Sequence, residues 1–415
     1  MAGIYTLINF ISAIIPFALI PILTRYLSPV DYGIAAMFQV MTGFVAPFVG
    51  LSMNGAIARM YYDETVNLPR YIGNCFTIVA GSAAIVCLVL CSNVLPLVQW
   101  TNLPAVTLWL VMVVAVSQYT SLTVLTLWQV EGRAMQYGIF KTATAFGSAL
   151  LSVWLIAGRG MGWRGVVWSQ VMSTGVAGAI GLYILISNRE IAFKWDMPYI
   201  KAALRFGLPL IPHAFGGWLM MSADRLLINR MVSVTATGLY TVAFQVTSAI
   251  TMLQISFNTA YVPWLFERLK RNDLVEEKLI VKLTYRYVGT MFIGSLVFGL
   301  IAPEIFQFAI GKNYHGASRF ILWIAPAKGI EAMYYMTCNY IFYSTKTKYL
   351  ALATIISAVI HMGVAYLLIG RFGAIGAAQA TLISSVVLVM IVWWVAAKLH
   401  PMPWLINGRR RNAIG

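Results

Sequence analysis

The chain has 415 residues, of which 60% are hydrophobic and 10% charged, with a formal net charge of +16. Soluble globular domains carry roughly a quarter charged residues, so this composition excludes an ordinary water-soluble enzyme and makes lipid the main solvent. The apolar residues come in continuous runs of about 20 and not in short alternating segments, which excludes an outer-membrane barrel and leaves an all-α polytopic membrane protein.

In chain order the runs predict twelve spanning helices, over about 3–25, 33–60, 70–95, 104–129, 136–157, 164–187, 204–228, 238–262, 282–302, 318–343, 349–369 and 376–397. The first run lacks a basic leader and a small-residue cleavage site, so it reads as a retained span and not as a signal peptide. Pro16 and Pro21 are expected to interrupt the first helix, and Pro209 and Pro212 the seventh, because proline removes a main-chain hydrogen bond. The polar stretch from Glu267 to Lys282 reads as a charged connector between the eighth and ninth helices.

The excess positive charge is distributed by side. With the helices placed as above, twenty Lys and Arg residues fall on one face, eight on the other, and Lys328 falls within a helix. The positive-inside rule then puts both termini in the cytoplasm, and the excess charge needs no nucleic-acid partner. The basic tail at Arg409, Arg410 and Arg411 is expected to meet anionic membrane lipids. Cys75, Cys87, Cys91 and Cys338 lie in or beside apolar helices without a Cys-x-x-Cys pair or histidines at ligand spacing, so neither a disulfide nor a metal site is expected.

An internal repeat divides the chain. Tyr32-Gly33-Ile34 and Phe38-Gln39-Val40 are echoed by Thr237-Gly238-Leu239 and Phe244-Gln245-Val246, with Arg25 and Arg230 each eight residues before the glycine. Gly158-Arg159, Gly162 and Gly165 are echoed by Gly370-Arg371, Gly373 and Gly376. Two matches at nearly one spacing indicate a duplicated six-helix bundle, residues 1–195 and 196–400, followed by the tail 401–415. Six is even, so both copies enter the membrane from the same side as parallel repeats, and the cleft between them is the natural place for a substrate.

Ionisable groups inside spanning helices cost about 2.5 to 3.5 kcal/mol each near the centre, so those present face water, a partner or a substrate. Lys328 and Glu331 stand mid-helix at i and i+3, able to pair or to line a hydrated cavity. Asp224 and Arg225 form a second intramembrane patch in the seventh helix. Arg25 ends the first helix, and Arg59, near the cytoplasmic end of the second, either greets an anionic headgroup or anchors the helix. His213 and His361 sit among apolar or small neighbours, where a neutral hydrogen-bonded imidazole is expected and proton coupling is conceivable. No phosphate-binding Gly-x-x-x-x-Gly-Lys-Ser/Thr loop and no His-Glu-x-x-His motif occur, which argues against a primary pump or a metalloprotease.

The stretch Ile22-Leu23-Thr24-Arg25-Tyr26-Leu27-Ser28-Pro29-Val30-Asp31-Tyr32-Gly33 resembles the opening of the polysaccharide transporters of the multidrug/oligosaccharidyl-lipid/polysaccharide exporter superfamily. So does Ala223-Asp224-Arg225-Leu226-Leu227-Ile228-Asn229-Arg230, followed by Thr237-Gly238-Leu239-Tyr240-Thr241-Val242-Ala243. The chain is most similar in these motifs to Wzx-type O-antigen flippases. That resemblance implies two six-helix bundles in a V around a central cavity, as in the related multidrug exporters. It also implies movement of an undecaprenyl-diphosphate-linked oligosaccharide across the bacterial inner membrane, by a transporter and not an enzyme, without a cofactor. An exchanged H+ or Na+ is left open, and the implied partners include the polysaccharide polymerase and chain-length machinery. By their charge and their placement in the spans, Arg25, Arg59, Asp224, Arg225, Lys328 and Glu331 are the residues expected to line such a cavity. An ion-coupled multidrug or cation antiporter of the same fold is the alternative.

Overall fold

The computed structural model describes residues 2–92, 100–271 and 273–404, so the basic tail Arg409–Arg411 lies outside the described residues. Among the described residues the secondary structure is helical, without a strand. The first helices are α1 (Ala2–Tyr26), α2 (Pro29–Gly50), α3 (Met53–Met60), α4 (Leu68–Cys91) and α5 (Val106–Val130). They are followed by α6 (Ala134–Val153), which closes in a π turn at Trp154–Gly158, then α7 (Trp163–Ser187), α8 (Met197–Gly207) and α9 (Ile211–Met231). The chain continues through α10 (Val234–Lys270), α11 (Leu274–Ala309), α12 (Ser318–Tyr343), α13 (Thr347–Phe372) and α14 (Ala374–Leu399).

Nine helices among the described residues are long and apolar enough to cross a membrane. Adding α1, α9 and α12, of 25, 21 and 26 residues, gives the expected twelve spans. Both α9 and α12 carry the ionisable residues singled out above, and their polar content is what keeps them out of the apolar set.

Several boundaries differ from expectation. The second predicted helix breaks at Leu51 and Ser52, whose φ values of 45° and 55° are left-handed, so α3 leaves α2 at a new angle. Pro47 and Gly50 weaken the end of α2 just before that break. Helix α1 runs through both Pro16 and Pro21 without interruption. Pro209 does interrupt the predicted seventh helix, in a 3-10 turn at Leu208–Leu210 that separates α8 from α9, whereas Pro212 sits in the first turn of α9, where a missing N–H costs nothing. The polar stretch Glu267–Lys282 is largely helical. It forms the ends of α10 and α11, 37 and 36 residues long, with only residues 271–273 between them. Arg271 Nη2 pairs with Glu267 at 2.8 Å, and Arg268 and Arg271 both reach Glu276, so the charges satisfy one another across the turn.

By contacts the chain forms two compact units, Met1–Gly238 and Leu239–Gly415. The repeat places its division at 195/196, and the helices between the two boundaries pack with the first unit. Helix α8 packs on α3 and α4, and α9 on α2. Trp218 Nε1 donates to the Val40 carbonyl at 3.0 Å, and Phe44, Phe48, Phe215 and Trp218 form one aromatic cluster. The core of the first unit centres on Met37, Phe38, Met41, Val45 and Val49 of α2, packed against Ile57, Tyr71, Val111 and Val167. In the second unit α12 is central, packed on α11 and α14, with Phe320, Ile324, Ala325 and Ala332 buried.

Two sequence matches have structural counterparts. Gly162 and Gly373 start α7 and α14 with nearly the same backbone, φ 54° and ψ −139° against φ 63° and ψ −149°, a conformation open only to glycine. Gly33 and Gly238 face each other reciprocally. A Cβ on Gly33 would overlap the Val234 carbonyl oxygen, and one on Gly238 would overlap that of Pro29. Each glycine thus meets the residue four before its equivalent, so α2 and the first turns of α10 cross backbone on backbone. Asp31 closes this region. Its carboxylate takes the Ser28 N–H at 3.2 Å in a capping box and the Trp163 N–H at 3.3 Å, tying the start of α2 to that of α7. Gly238→Ala is therefore expected to lower stability by about 1 to 3 kcal/mol through overpacking, read as a fall in the detergent-solubilised melting temperature; an unchanged melting temperature would contradict the crossing.

Candidate functional site

The second unit carries a polar seam inside its helix packing. Proline at 326 leaves the Leu322 carbonyl of α12 without its usual main-chain donor, two residues before Lys328. Lys328 Nζ lies 2.9 and 3.1 Å from the two carboxylate oxygens of Glu331, and their side chains are only 12% and 18% exposed. Ser385 of α14 donates to Glu331 Oε1 at 3.0 Å. Gln254 of α10 donates to the Lys328 carbonyl at 2.6 Å, and the Lys328 ammonium stands 5.3 Å from the centre of the Phe244 ring. One helical face further on, Asn339 Nδ2 donates to Asn258 Oδ1 at 2.8 Å. Helices α10, α12 and α14 thus enclose a carboxylate–ammonium pair with a ring of neutral hydrogen-bonding groups.

Ordered polar groups of this kind in a spanning segment either compensate each other or offer donors to a hydrophilic solute. An ammonium has three donors, of which the Glu331 carboxylate takes two. The same α14 helix presents Ser384 to the neighbouring titratable group, since His361 Nδ1 lies 2.9 Å from Ser384 Oγ. His361 is buried, whereas His213 is exposed in the first turn of α9, directly after Pro212.

The remaining predicted residues belong to the first unit. Asp224 is 5% exposed and Arg225 half-buried, side by side on α9, whereas Arg25 at the end of α1 and Arg230 near the end of α9 are exposed. Arg59 is exposed at the end of α3, with its guanidinium 5.7 Å from the centre of the Phe206 ring. The pairing of Lys328 with Glu331 was readable from the i, i+3 spacing. Ser385, Gln254, Asn258 and Asn339 were not singled out, because isolated small polar residues also serve ordinary packing between spanning helices.

Residues 2–268 match a protein-family model described as polysaccharide biosynthesis protein. The chain belongs to that family. Among similar proteins, an uncharacterized membrane protein of Haemophilus influenzae is 24% identical over 369 residues, covering 87% of this chain and 88% of that one. A probable low-salt glycan biosynthesis flippase, Agl15, of Haloferax volcanii is 23% identical over 234 residues, 52% of this chain and 48% of its own. The lipid II flippase MurJ, in an inward closed conformation, superposes with a TM-score of 0.74 at 13% identity, covering 95% of this chain and 89% of that one. An inward-facing multidrug resistance transporter of the MATE family superposes with a TM-score of 0.64 at 15% identity, over 95% and 94%. This member of the polysaccharide biosynthesis family therefore has the fold of the multidrug/oligosaccharidyl-lipid/polysaccharide superfamily and is a multi-pass membrane protein.

Removing Glu331 leaves a buried ammonium without its counter-charge. Glu331→Ala is expected to destabilise the protein by about 3 kcal/mol or more, while Lys328→Met with Glu331→Leu recovers most of that loss. Thermal unfolding in detergent reads both, and equal stability of the single and double variants would show that the pair is not coupled.

Proposed function

We propose that the protein is a flippase for an undecaprenyl-diphosphate-linked oligosaccharide, the repeat unit of an O-antigen or related surface polysaccharide. It moves the sugar-bearing head from the cytoplasmic to the periplasmic leaflet of a bacterial inner membrane by alternating access. The observation that carries this reading is the partly buried Lys328–Glu331–Ser385 cluster in a family whose work is polysaccharide biosynthesis. A purely lipid-facing bundle has no use for ionisable groups at mid-helix, whereas a cargo with a charged, hydroxyl-rich head requires them. The flippase names carried by Agl15 and MurJ support the same reading.

In this reading Lys328, held by Glu331, offers its ammonium to the diphosphate, Arg25 and Arg225 with Asp224 are the first unit's own candidate contacts for an anionic head, and the polyprenyl tail stays in the bilayer. Arg59 meets the head on entry. With the cytoplasm negative, outward movement of each negative charge across the full field gains about 2.3 kcal/mol per 100 mV, which favours export. Proton exchange, where it contributes, runs through Glu331 and His361, which α14 holds through adjacent serines.

The test is surface polysaccharide export in cells lacking the chromosomal copy, with membrane content of each variant checked by immunoblot. Arg225→Ala and the stability-restoring Lys328→Met/Glu331→Leu are each expected to cut export at least about ten-fold at normal membrane levels. Normal export in both would remove these residues from the path. Drug efflux coupled to H+ or Na+ without any polysaccharide phenotype would instead establish an antiporter.

A further inference from the structure

A separate cluster of positive charge belongs to the first unit. Arg59 at the end of α3 and Lys201 and Arg205 of α8 line a cavity of about 790 Å³ together with Met60, Phe206 and Leu210. Lys201 and Arg205 are one helical turn apart and exposed, and no acidic side chain lines the cavity. Like charges at i and i+4 repel, so the arrangement calls for an anion to offset them.

The cavity is built on a fixed wall. Asn74 of α4 donates to the Lys194 carbonyl at 2.9 Å and accepts the Asp196 N–H at 2.9 Å. Asp196 caps α8 through the Tyr199 N–H, and the Tyr199 hydroxyl accepts the Asn67 N–H at 3.0 Å while its ring packs on Tyr71. The Arg59 guanidinium stands 5.7 Å from the Phe206 ring centre. In the chain α8 is flanked by apolar and aromatic residues, Phe193 and Trp195 before it and Leu208 and Leu210 after it, all four exposed, and Leu210 lines the cavity. A short amphipathic helix with buried Ile200 and Ala203, exposed cations and flanking aromatics has the composition of a membrane-interface element.

We propose that the pocket formed by Arg59, Lys201 and Arg205 binds the phosphate head of an acidic lipid, with its acyl or prenyl chain lying along Leu208 and Leu210. The cavity volume suits a headgroup, and the charge selects a net anionic one over a zwitterionic one. The site stands whether or not the chain is a flippase, since binding is measured without transport. Two sources supply the same chemistry, a bilayer phospholipid such as phosphatidylglycerol and the diphosphate of a polyprenyl carrier.

The test is native mass spectrometry of the full chain in detergent, titrated with phosphatidylglycerol, with a polyprenyl diphosphate and with phosphatidylcholine as the zwitterionic reference. At least one acidic lipid is expected to bind about ten-fold or more tighter than phosphatidylcholine. Lys201→Ala/Arg205→Ala is expected to bring that preference within about two-fold, while Lys346→Ala/Lys348→Ala, an equal charge loss at exposed positions elsewhere, leaves it intact. Preference for phosphatidylglycerol identifies the source as bilayer lipid, and preference for the diphosphate alone identifies it as the carrier head; either supports the site. Equal binding of all three lipids, or an equal loss in both double variants, overturns it. Because Lys201 and Arg205 are exposed, their removal leaves the fold in place, which the elution volume on gel filtration verifies.

Discussion

Hydrocarbon offers no hydrogen bonds, and that single constraint organises this molecule. Nearly every main-chain group in a span is satisfied within its own helix, so the chain resolves into long helices, and a charge kept inside finds its compensation from a neighbouring side chain. The Lys328–Glu331 pair meets that condition in the second unit. The i, i+3 spacing brings ammonium and carboxylate to hydrogen-bonding distance, and the hydroxyl of Ser385 supplies a further donor to the carboxylate. Paired in this way, two ionisable groups persist in a place where either alone would be expelled or neutralised.

The same constraint explains what could be read from the chain before its structure. Charges in apolar runs are rare enough to be conspicuous, so Lys328, Glu331, Asp224 and Arg225 were visible at once, as were the spans and the repeat glycines. The break at Leu51 and Ser52 was hidden, because neither residue favours a left-handed backbone and the apolar pattern continues across it. The extension of α10 and α11 through the polar stretch was legible in principle, since Glu267 and Arg271 stand one turn apart as a helical ion pair would. The basic pocket was only one-third legible. Arg59 stood out alone, while Lys201 lay just before the seventh predicted span and Arg205 at its very start, and only the packing of α8 on α3 and α4 assembles the three.

Gly33 and Gly238 show what a missing side chain admits: at each position the absence of a Cβ lets the other helix's backbone approach. Such a crossing brings two helix axes together without interposed side chains, as small residues do between spanning helices.

The length of α10 and α11 has a mechanical consequence. Helices of 37 and 36 residues reach about 55 Å, well past a hydrocarbon layer of about 30 Å, so their ends overhang the bilayer. There Arg268, Arg271, Glu267 and Glu276 rivet the two tips together. A rotation of about 10° near mid-bilayer sweeps such a tip through some ~5 Å. The joined tips therefore stand in water, where added salt weakens the ion pairs that hold them together.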